Sequence, residues 1–406
     1  MKQTSKTLAK KHIALFVKSF EGSGGAERVL LNLGCGLAAQ GHRVDLVMAR
    51  YKGHFLDQIP SEINVVDLKV KSARQSLLSI AKLGHDALFW IQMVIAKNPH
   101  YVLGALQGLA DYLKELQPEV VIASMDYPNI VAVKARELAN VKSRIVLTVH
   151  STLSEEIARS KKRRVIAQTV VDKRFYPRAD AVVAVSRGVE EDLIRTLQVP
   201  LRNLTTIYSP VVTDNLFRQA AEPLSHPWFT KGSPPVVLAV GGLKPAKDFA
   251  TLLNAMAIVC EQQPVRLLIL GEGRLRDSLT RQAEELNIAN NVEMPGFVDN
   301  PFQYMANASL FVLSSVFEGL PTVLIEALAC GCPVVSTDCP SGPREILDHG
   351  RYGQLVPMED PEVLARAIMQ SLNAPSEKEK LINRGMDFTL QKSTEKYLHL
   401  IESCAT

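Results

Sequence analysis

The sequence lacks most of the marks of a secreted, metal-binding or disordered protein. It has only six cysteines in 406 residues, with no Cys-x-x-Cys pair and no accompanying histidine spacing, so we expect no zinc site. The cysteines lie in apolar runs, which is typical of reduced core thiols in a cytosolic protein. Residues 1–11 are polar and basic and have no apolar segment, which indicates a frayed tail and not a signal peptide.

The sequence also has no uninterrupted hydrophobic run long enough to span a bilayer. Its most apolar stretch, Leu77–Ala96, is broken near the middle by Lys82, His85 and Asp86, and charges there argue against a membrane-spanning helix. The second part of the stretch is apolar nearly all round, which leaves a buried helix or an interfacial helix that dips into a membrane. The formal net charge is only +4, so a basic binding surface would have to come from a local cluster.

What the sequence does contain is enough apolar material for two sizeable cores. Hydrophobic residues make up 47% of a chain that is too long for one ordinary domain. Short β-branched runs alternate with amphipathic segments, which predicts parallel sheets with helices on both faces. The predicted strands are Ile13–Val17, Val44–Met48, Val120–Ala123, Ile145–Val149, Ala181–Val185, Val236–Val240, Leu267–Leu270, Leu310–Ser314 and Pro333–Ser336.

The alternation is interrupted once, and the interruption places the domain boundary. The stretch Tyr208–Pro235 is rich in proline and polar residues and has no clear period. We therefore predict an α/β fold with a Rossmann-like first domain at 1–207, a linker at 208–235 and a second Rossmann-like domain at 236–375. Residues 376–406 are predicted as C-terminal helices that pack back toward the first domain. Doubly wound domains bind ligands at the carboxyl ends of their strands.

The strongest chemical signal follows the strand that ends near Ser314. A short loop carries Glu318 and Gly319, and Pro321 is suited to the start of a helix that contains Glu326. Two carboxylates eight positions apart could hold a polyol at two heights, while amides of the helix start would face a phosphate between them. The alternative is a solvated helix face. The further predicted ligand-binding residues of this loop and helix start are Gly319, Leu320, Thr322 and Val323.

Two other loops join a strand to a helix through glycines. In the first, Gly24 and Gly25 allow a ligand close to the backbone at a helix start, unless they serve only strand–helix packing. In the second, Lys247 stands where a helix begins, and a cation there opposes the helix dipole unless an anion compensates. The alternative for Lys247 is a surface lysine. His150 closes another strand and could contact substrate or move a proton, or be purely structural.

These motifs, in this order and spacing, resemble family 4 of the retaining glycosyltransferases, which have the GT-B fold of two Rossmann-like domains facing a central cleft. The resemblance covers nearly the whole chain. It is strongest in Val236–Pro357, where Glu318 and Glu326 match the Glu-x7-Glu signature of the family. It implies transfer of a sugar from a UDP- or GDP-linked donor to a glycan or lipid-linked acceptor, in surface polysaccharide or glycolipid assembly.

The resemblance also implies a role for each matching residue. Gly24 and Gly25 would approach the donor diphosphate and sugar, and Lys247 would neutralise the departing diphosphate. Glu318 would bind hydroxyls of the transferred sugar and Glu326 the nucleotide ribose. His150 would line the reaction centre, so that His150, Lys247 and Glu318 are the candidate catalytic residues. Phe297 and Val298 would lie near the base.

The sequence departs from the family pattern at Gly242, where an arginine is usual, and at Ser209, where an asparagine is common. The missing arginine removes a bidentate phosphate partner, for which Lys244 or an arginine from elsewhere in the chain is a candidate replacement. No Asp-x-Asp motif is present, so we expect no metal cofactor, and the charge of the leaving group would fall to Lys247 and the helix start.

A dense basic run lies in the half of the chain that binds the acceptor in this family. We interpret it as a dock for an anionic membrane surface or a lipid-linked diphosphate, with a solvated helix face as the alternative. The expected location is cytoplasmic, peripheral at the inner face of the membrane, and no nucleic acid is expected. Two rival functions are a nucleotide-sugar epimerase and a non-catalytic sugar-nucleotide sensor. The basic run comprises Arg159, Lys161, Lys162, Arg163 and Arg164.

Overall fold

The computed structural model describes residues 10–21, 25–53, 56–70, 104–159, 163–374 and 377–404, with backbone only for 163–168. The apolar stretch Leu77–Ala96, and Gly24, Lys161 and Lys162, lie outside these residues. The chain divides into two compact units. The first comprises Met1–Ala184, Glu190–Ile207 and Thr394–Thr406, and the second comprises Val185–Val189 and Tyr208–Ser393.

The first unit is built on a parallel sheet, in which the described residues form seven strands ordered β3-β2-β1-β4-β5-β6-β7. The order reverses at β1, which pairs with β2 on one side and with β4 on the other. The strands are β1 His12–Val17, β2 Arg43–Met48, β3 Ile63–Asp67, β4 Val120–Ser124, β5 Arg144–Val149, β6 Ala181–Ala184 and β7 Leu204–Thr206. The helices from this half of the chain are α1 Gly25–Ala39, α2 Ala105–Leu116, α3 Asp126–Ala139, α4 Leu153–Arg159, α5 Arg163–Phe175 and α6 Arg187–Leu197.

The second unit repeats this design with six described parallel strands, in the order β10-β9-β8-β11-β12-β13. The strands are β8 Val236–Val240, β9 Arg266–Leu270, β10 Val292–Gly296, β11 Leu310–Leu313, β12 Val334–Thr337 and β13 Gln354–Val356. The helices are α7 Asp214–Ala220, α8 Phe249–Gln262, α9 Arg276–Glu285, α10 Phe302–Asn307, α11 Thr322–Ala329, α12 Pro343–Ile346, α13 Pro361–Asn373 and α14 Lys378–Gly385, and α15 Leu390–Ser403 follows. Each sheet is therefore doubly wound, as predicted.

The strands that form the middle of each sheet are apolar because helices cover both of their faces. In β4 every residue is buried, and β8 is buried from Val236 to Ala239. Four strands were not predicted, and each lies at a sheet edge: β3, β7, β10 and β13. They are only partly buried and so lack the continuous apolar run on which the prediction relied.

The predicted linker at 208–235 is wrong as a separate segment. Its residues belong to the second unit, beginning at Tyr208, and contain α7, whose start is capped by the Thr213 side chain. Val212 also pairs with Thr389 in an isolated bridge. The proline-rich composition and the lack of hydrophobic periodicity in this segment therefore indicate irregular backbone that is packed in a domain, and not a flexible linker.

The C-terminal segment, which was predicted to pack back toward the first domain, is divided between the two units. Residues up to Ser393 belong to the second unit, and the remainder belongs to the first. Tyr397, Leu398 and Ile401 are buried in the core of the first unit, where Arg144 Nη1 donates to the Ile401 carbonyl at 2.5 Å. In the part of the chain that the structure describes, no helix combines the length and the apolar character needed to cross a bilayer.

Candidate active site

The candidate site lies at the reversal point of the second sheet. There β8 pairs with β9 on one side and with β11 on the other, and at such a reversal the loops after the two strands diverge and leave a crevice at the carboxyl edge. Crevices of this type are the usual ligand sites of doubly wound sheets. The loop after β8 carries Lys247 and the loop after β11 carries Glu318.

Lys247 is held by the turn that joins β8 to α8. It ends a short 3-10 helix, Pro245–Lys247, and Asp248 then caps α8 by accepting a hydrogen bond from the Thr251 amide. Lys247 thus lies just before the helix, close to its predicted place. Its carbonyl accepts a hydrogen bond from the Ser314 hydroxyl at 2.8 Å, which ties this turn to the end of β11.

Lys247 and Glu318 form an ion pair. The Lys247 Nζ atom donates to Glu318 Oε1 at 2.5 Å, and the same oxygen accepts from the Ser315 hydroxyl at 2.7 Å. The two side chains are only 21% and 14% exposed, so the pair is shielded from water on most sides. The structure therefore brings together two residues 71 positions apart that the sequence had singled out separately.

The loop around Glu318 is fixed by its backbone. The Glu318 amide donates to the Pro340 carbonyl at 2.8 Å, and the Ser341 amide donates to the Glu318 carbonyl at 3.0 Å. The Gly319 carbonyl accepts from the hydroxyls of Ser186 and Ser341, at 2.7 and 2.9 Å. Sequence reasoning missed these two serines, because they come from distant segments and carry no motif of their own.

Glu326 lies in the second turn of α11 and is 7% exposed. Burial, and then the negative charge of Glu326, raise the pKa of the Cys330 thiol to about 12, which places the carboxylate near that thiol. The start of α11 has Pro321 at its N-cap position and, in this described segment, no side-chain cap. Gly319 and Leu320 are buried, while Thr322 and Val323 are partly exposed at the helix start.

Phe297 and Val298 follow the edge strand β10. Phe297 is 44% exposed, which is unusual for a phenylalanine, and Val298 is partly buried. Gly296 before them has φ of +100°, a conformation that favours glycine. The turn therefore presents an aromatic side chain at the carboxyl edge of the same sheet that carries Lys247 and Glu318.

In the first unit, His150 directly follows β5 at the carboxyl edge of its own sheet. Its Nε2 atom lies 3.0 Å from the Ser124 hydroxyl oxygen and 3.0 Å from that of Thr148. Burial lowers the pKa of His150 to about 4, so the imidazole is neutral at neutral pH. A neutral ring held by hydroxyls suits hydrogen bonding to an uncharged polar ligand.

Sequence reasoning did not identify Glu156, on α4 close to His150 in the chain. Its Oε1 atom accepts from the Ser151 hydroxyl at 2.6 Å. Burial, followed by the charge of Asp126, raises the pKa of Glu156 to about 7, with a further contribution from Asp192. The pattern Ser151-x4-Glu156 has no recognisable motif, so only the folded chain reveals this carboxyl group.

The remaining predicted residues lie in the first unit. Gly25 is the exposed first residue of α1, and Gly24 lies outside the described residues. Arg159 is exposed at the end of α4, and Arg163 and Arg164 begin α5, with their side chains undescribed. Lys161 and Lys162 fall in the undescribed residues between these helices.

Two protein-family models match the chain, and together they span most of it. Residues 23–215 match the model "Glycosyltransferase Family 4", and residues 222–388 match "Glycosyl transferases group 1". The chain belongs to glycosyltransferase family 4. This confirms the family inferred from the Glu-x7-Glu signature.

A curated relative of this glycosyltransferase comes from Campylobacter jejuni. It is an N-acetylgalactosamine-N,N'-diacetylbacillosaminyl-diphospho-undecaprenol 4-alpha-N-acetylgalactosaminyltransferase, 29% identical over 376 residues that cover 91% of each chain. A lipopolysaccharide 1,6-galactosyltransferase of Salmonella typhimurium is 27% identical over 61% of this chain and 64% of its own. These relatives are transferases, which supports transfer over the rival hypotheses of an epimerase and a sugar-nucleotide sensor.

Solved structures confirm the fold of the glycosyltransferase. The apo form of WaaB, a lipopolysaccharide outer core galactosyltransferase, matches 96% of this chain and 99% of its own, with a TM-score of 0.69 and 21% identity. Anabaena HepE in complex with UDP and glucose matches 97% of this chain and all of its own, with a TM-score of 0.72 and 19% identity. The fold is therefore GT-B, as predicted, with two Rossmann-like domains.

Proposed function

We propose that this glycosyltransferase is a retaining hexosyltransferase that takes its sugar from a UDP- or GDP-linked donor. The observation that carries the proposal is the shielded ion pair between Lys247 and Glu318 at the reversal point of the second sheet. A lysine in this place can neutralise a departing diphosphate, and a carboxylate beside it can accept hydrogen bonds from sugar hydroxyls. HepE, a solved protein of the same fold, holds UDP and glucose.

The donor would contact several further groups of the second unit. Glu326 would bind the ribose, and Phe297 with Val298 would contact the base. The start of α11, with Gly319, Leu320, Thr322 and Val323, would direct backbone amides at the phosphates. We assign Gly24, Gly25 and His150 to the donor sugar and reaction centre by family resemblance.

Lys244 supplies a second cation where this chain lacks the usual arginine. A Cβ atom added at Gly242 would lie 3.3 Å from Lys244 Cε and 3.6 Å from its Cδ. The Lys244 side chain thus occupies the space beside Gly242. The Lys247 stem lies over Gly241 in the same way, with three of its carbons within 3.5 Å of such a Cβ. Two lysines whose stems lie beside adjacent glycines would partly replace the missing guanidinium.

Retention would follow from attack on the face that the diphosphate leaves. The bond from the anomeric carbon to the phosphate oxygen breaks, the acceptor oxygen bonds to the same face, and the acceptor proton passes to the leaving phosphate. Lys247 and the α11 amides would carry the charge of the leaving group, so no metal cofactor is required. The anomeric configuration of the product, read by NMR, tests retention, and unchanged activity in excess EDTA tests the metal-free site.

For the acceptor we propose a lipid-linked or surface glycan. The Campylobacter relative is named for a diphospho-undecaprenol substrate, and the Salmonella relative for lipopolysaccharide. Exposed Arg159, Lys173 and Arg174 of the first unit could contribute, with the basic run at 159–164, to binding an anionic membrane surface. This surface would place the enzyme at the inner face of the cytoplasmic membrane.

One assay tests donor and acceptor together. The protein is incubated with UDP- or GDP-sugars, with and without a polyprenol-diphosphate glycan. We expect nucleoside diphosphate to be released only when the acceptor is present. Release without acceptor, or isomerised donor, would contradict transfer. Flotation with phosphatidylglycerol vesicles at low salt tests the membrane surface, and the absence of binding would remove that part of the proposal.

A further inference from the structure

One arginine joins the carboxyl ends of two strands in the second sheet. Arg276 is the first residue of α9, and its Nη1 atom donates a hydrogen bond to the Met294 carbonyl of β10 at 2.7 Å. Its Nη2 atom donates to the carbonyl of Gly271, which follows β9, at 3.3 Å. The guanidinium therefore ties β10 to the residue that ends its neighbour, in addition to the ladder between the strands.

The guanidinium is itself oriented by a carboxylate. Arg276 Nε donates to Glu272 Oε2 at 3.0 Å and Nη2 to Glu272 Oε1 at 2.5 Å, a bidentate pair. These hydrogen bonds hold the pKa of Glu272 below its usual value. A bidentate pair fixes direction as well as distance, so both donors that reach the strands have a defined geometry.

The pair supports the turn that ends β10. A Cβ atom at Gly296 would lie 2.7 Å from Glu272 Oε1 and 3.7 Å from Arg276 Nη2, so the backbone of Gly296 packs directly on the two side chains. The pairing of β10 with β9 shifts register between Glu293 and Gly296, and such irregularities redirect the residues that follow them. The next residue is the exposed Phe297.

The turn faces the same edge of the sheet as the ion pair of Lys247 and Glu318. Strand β10 is two strands away from β8, or about 10 Å at the usual strand spacing. A nucleoside diphosphate in extended form has a similar length. With its phosphates beside Lys247, its base would reach the turn at 296–298, where an exposed aromatic ring offers a stacking surface.

We propose that Arg276, oriented by Glu272, is a positioning residue that holds the turn at 296–298 for the nucleobase and so sets base selectivity. This inference rests on the proposed nucleotide-sugar donor. In this role Arg276 acts on the nucleobase through the backbone of Met294, Gly271 and Gly296. An ordinary surface ion pair would instead contribute little to any property of the enzyme.

The test compares ligands that contain the base with one that lacks it. Isothermal titration gives the Kd of UDP, GDP, CDP and inorganic pyrophosphate for the wild type, Arg276→Ala, Arg276→Lys and Glu272→Gln. Arg274→Ala is the matched control, since Arg274 is a neighbouring exposed arginine. In Arg276→Ala we expect the Kd of the preferred nucleotide to rise about tenfold, the differences among bases to shrink, and the Kd of pyrophosphate to stay unchanged.

Arg276→Lys keeps the positive charge but loses the bidentate geometry of the guanidinium, so we expect this variant to retain only part of the base selectivity. Glu272→Gln should give a smaller loss with the same dependence on the base, and it replaces Arg276→Ala in the comparison if that variant does not fold. The inference is overturned if the Arg276 and Glu272 variants keep the base selectivity of the wild type. It is also overturned if these variants weaken the binding of pyrophosphate as much as the binding of the nucleotide. A wild type that binds none of the diphosphates would instead contradict the proposed function itself, and the inference with it.

Discussion

The two sheets share a strand order that reverses beside their first strand, yet their carboxyl edges carry different chemistry. The edge of the second sheet holds a cation and an anion 2.5 Å apart, Lys247 and Glu318. The edge of the first sheet holds His150, neutral at pH 7 because burial lowers its pKa, and Glu156, whose pKa burial raises to about 7. The same fold therefore carries an ion pair at the edge of one sheet and, at the edge of the other, a neutral imidazole near a carboxyl group whose pKa is raised.

Of all the substitutions at the two sheet edges, removal of the Lys247 charge should have the largest effect on catalysis. In Lys247→Ala we expect kcat to fall by about 10²- to 10³-fold with a smaller change in donor KM, because a leaving diphosphate gains most of its charge in the transition state. Steady-state kinetics measure this, with the exposed Lys231→Ala as the control. Near-wild-type kcat in Lys247→Ala would show that the ion pair is structural.

Buried Glu326 should act on the donor before reaction. Replacing it by alanine removes an acceptor for ribose hydroxyls, so we expect the Kd of the nucleoside diphosphate to rise roughly 10- to 100-fold. Calorimetry of Glu326→Ala beside Glu285→Ala, an exposed glutamate of α9, separates this effect from a general change in charge. Equal affinities in the two variants would place the ribose elsewhere.

At the edge of the first sheet, the shifted pKa values of His150 and Glu156 should make the stability of the protein depend on pH. A histidine whose pKa falls to about 4 on folding stabilises the protein above pH 6.5, and this contribution is lost as the pH falls toward 4. A carboxyl whose pKa rises to about 7 stabilises below pH 4.5, and its contribution is lost as the pH rises through 7. The two residues therefore act in opposite directions.

Thermal unfolding of His150→Asn and Glu156→Gln measures both contributions. Relative to the wild type, Glu156→Gln should gain stability at pH 8 and His150→Asn at pH 4.5, each on the order of 1–3 kcal/mol. The exposed Glu191→Gln serves as the control. Parallel pH profiles for the wild type and both variants would mean that the edge of the first sheet is more polar than its burial indicates.

Lys244 should have the smallest effect, because its side chain is exposed. We expect Lys244→Ala to raise the donor Kd by only a few fold. Adding Gly242→Arg to this variant should restore or improve binding, since the Lys244 stem no longer occupies the space beside residue 242. A double variant that binds worse than Lys244→Ala would show that the missing arginine has no room in this chain.

The middle strands, and the loops in which the candidate site residues stand, could be predicted from the sequence because both have local signals. A strand covered on both faces reads as an apolar run, as in Val120–Ala123 and Val236–Val240. Glu318 and Lys247 stand in glycine-containing loops directly after such runs, and the spacing of Glu318 and Glu326 matched a family. These features need no knowledge of distant contacts.

Other features depended on contacts between distant segments. The edge strands β3, β7, β10 and β13 bury little surface and become strands only by pairing with a neighbour. Ser186 and Ser341 hold Gly319 although 133 and 22 positions separate them from it, and the pKa of Glu156 depends on Asp126 and Asp192. The sequence by itself determined the doubly wound halves and the candidate residues of the loop after β11, through periodicity and local turn chemistry. Only the tertiary structure decided the sheet edges, the division of the C-terminal segment and the pairing of Lys247 with Glu318, because burial and electrostatic interaction arise between segments that meet in the fold.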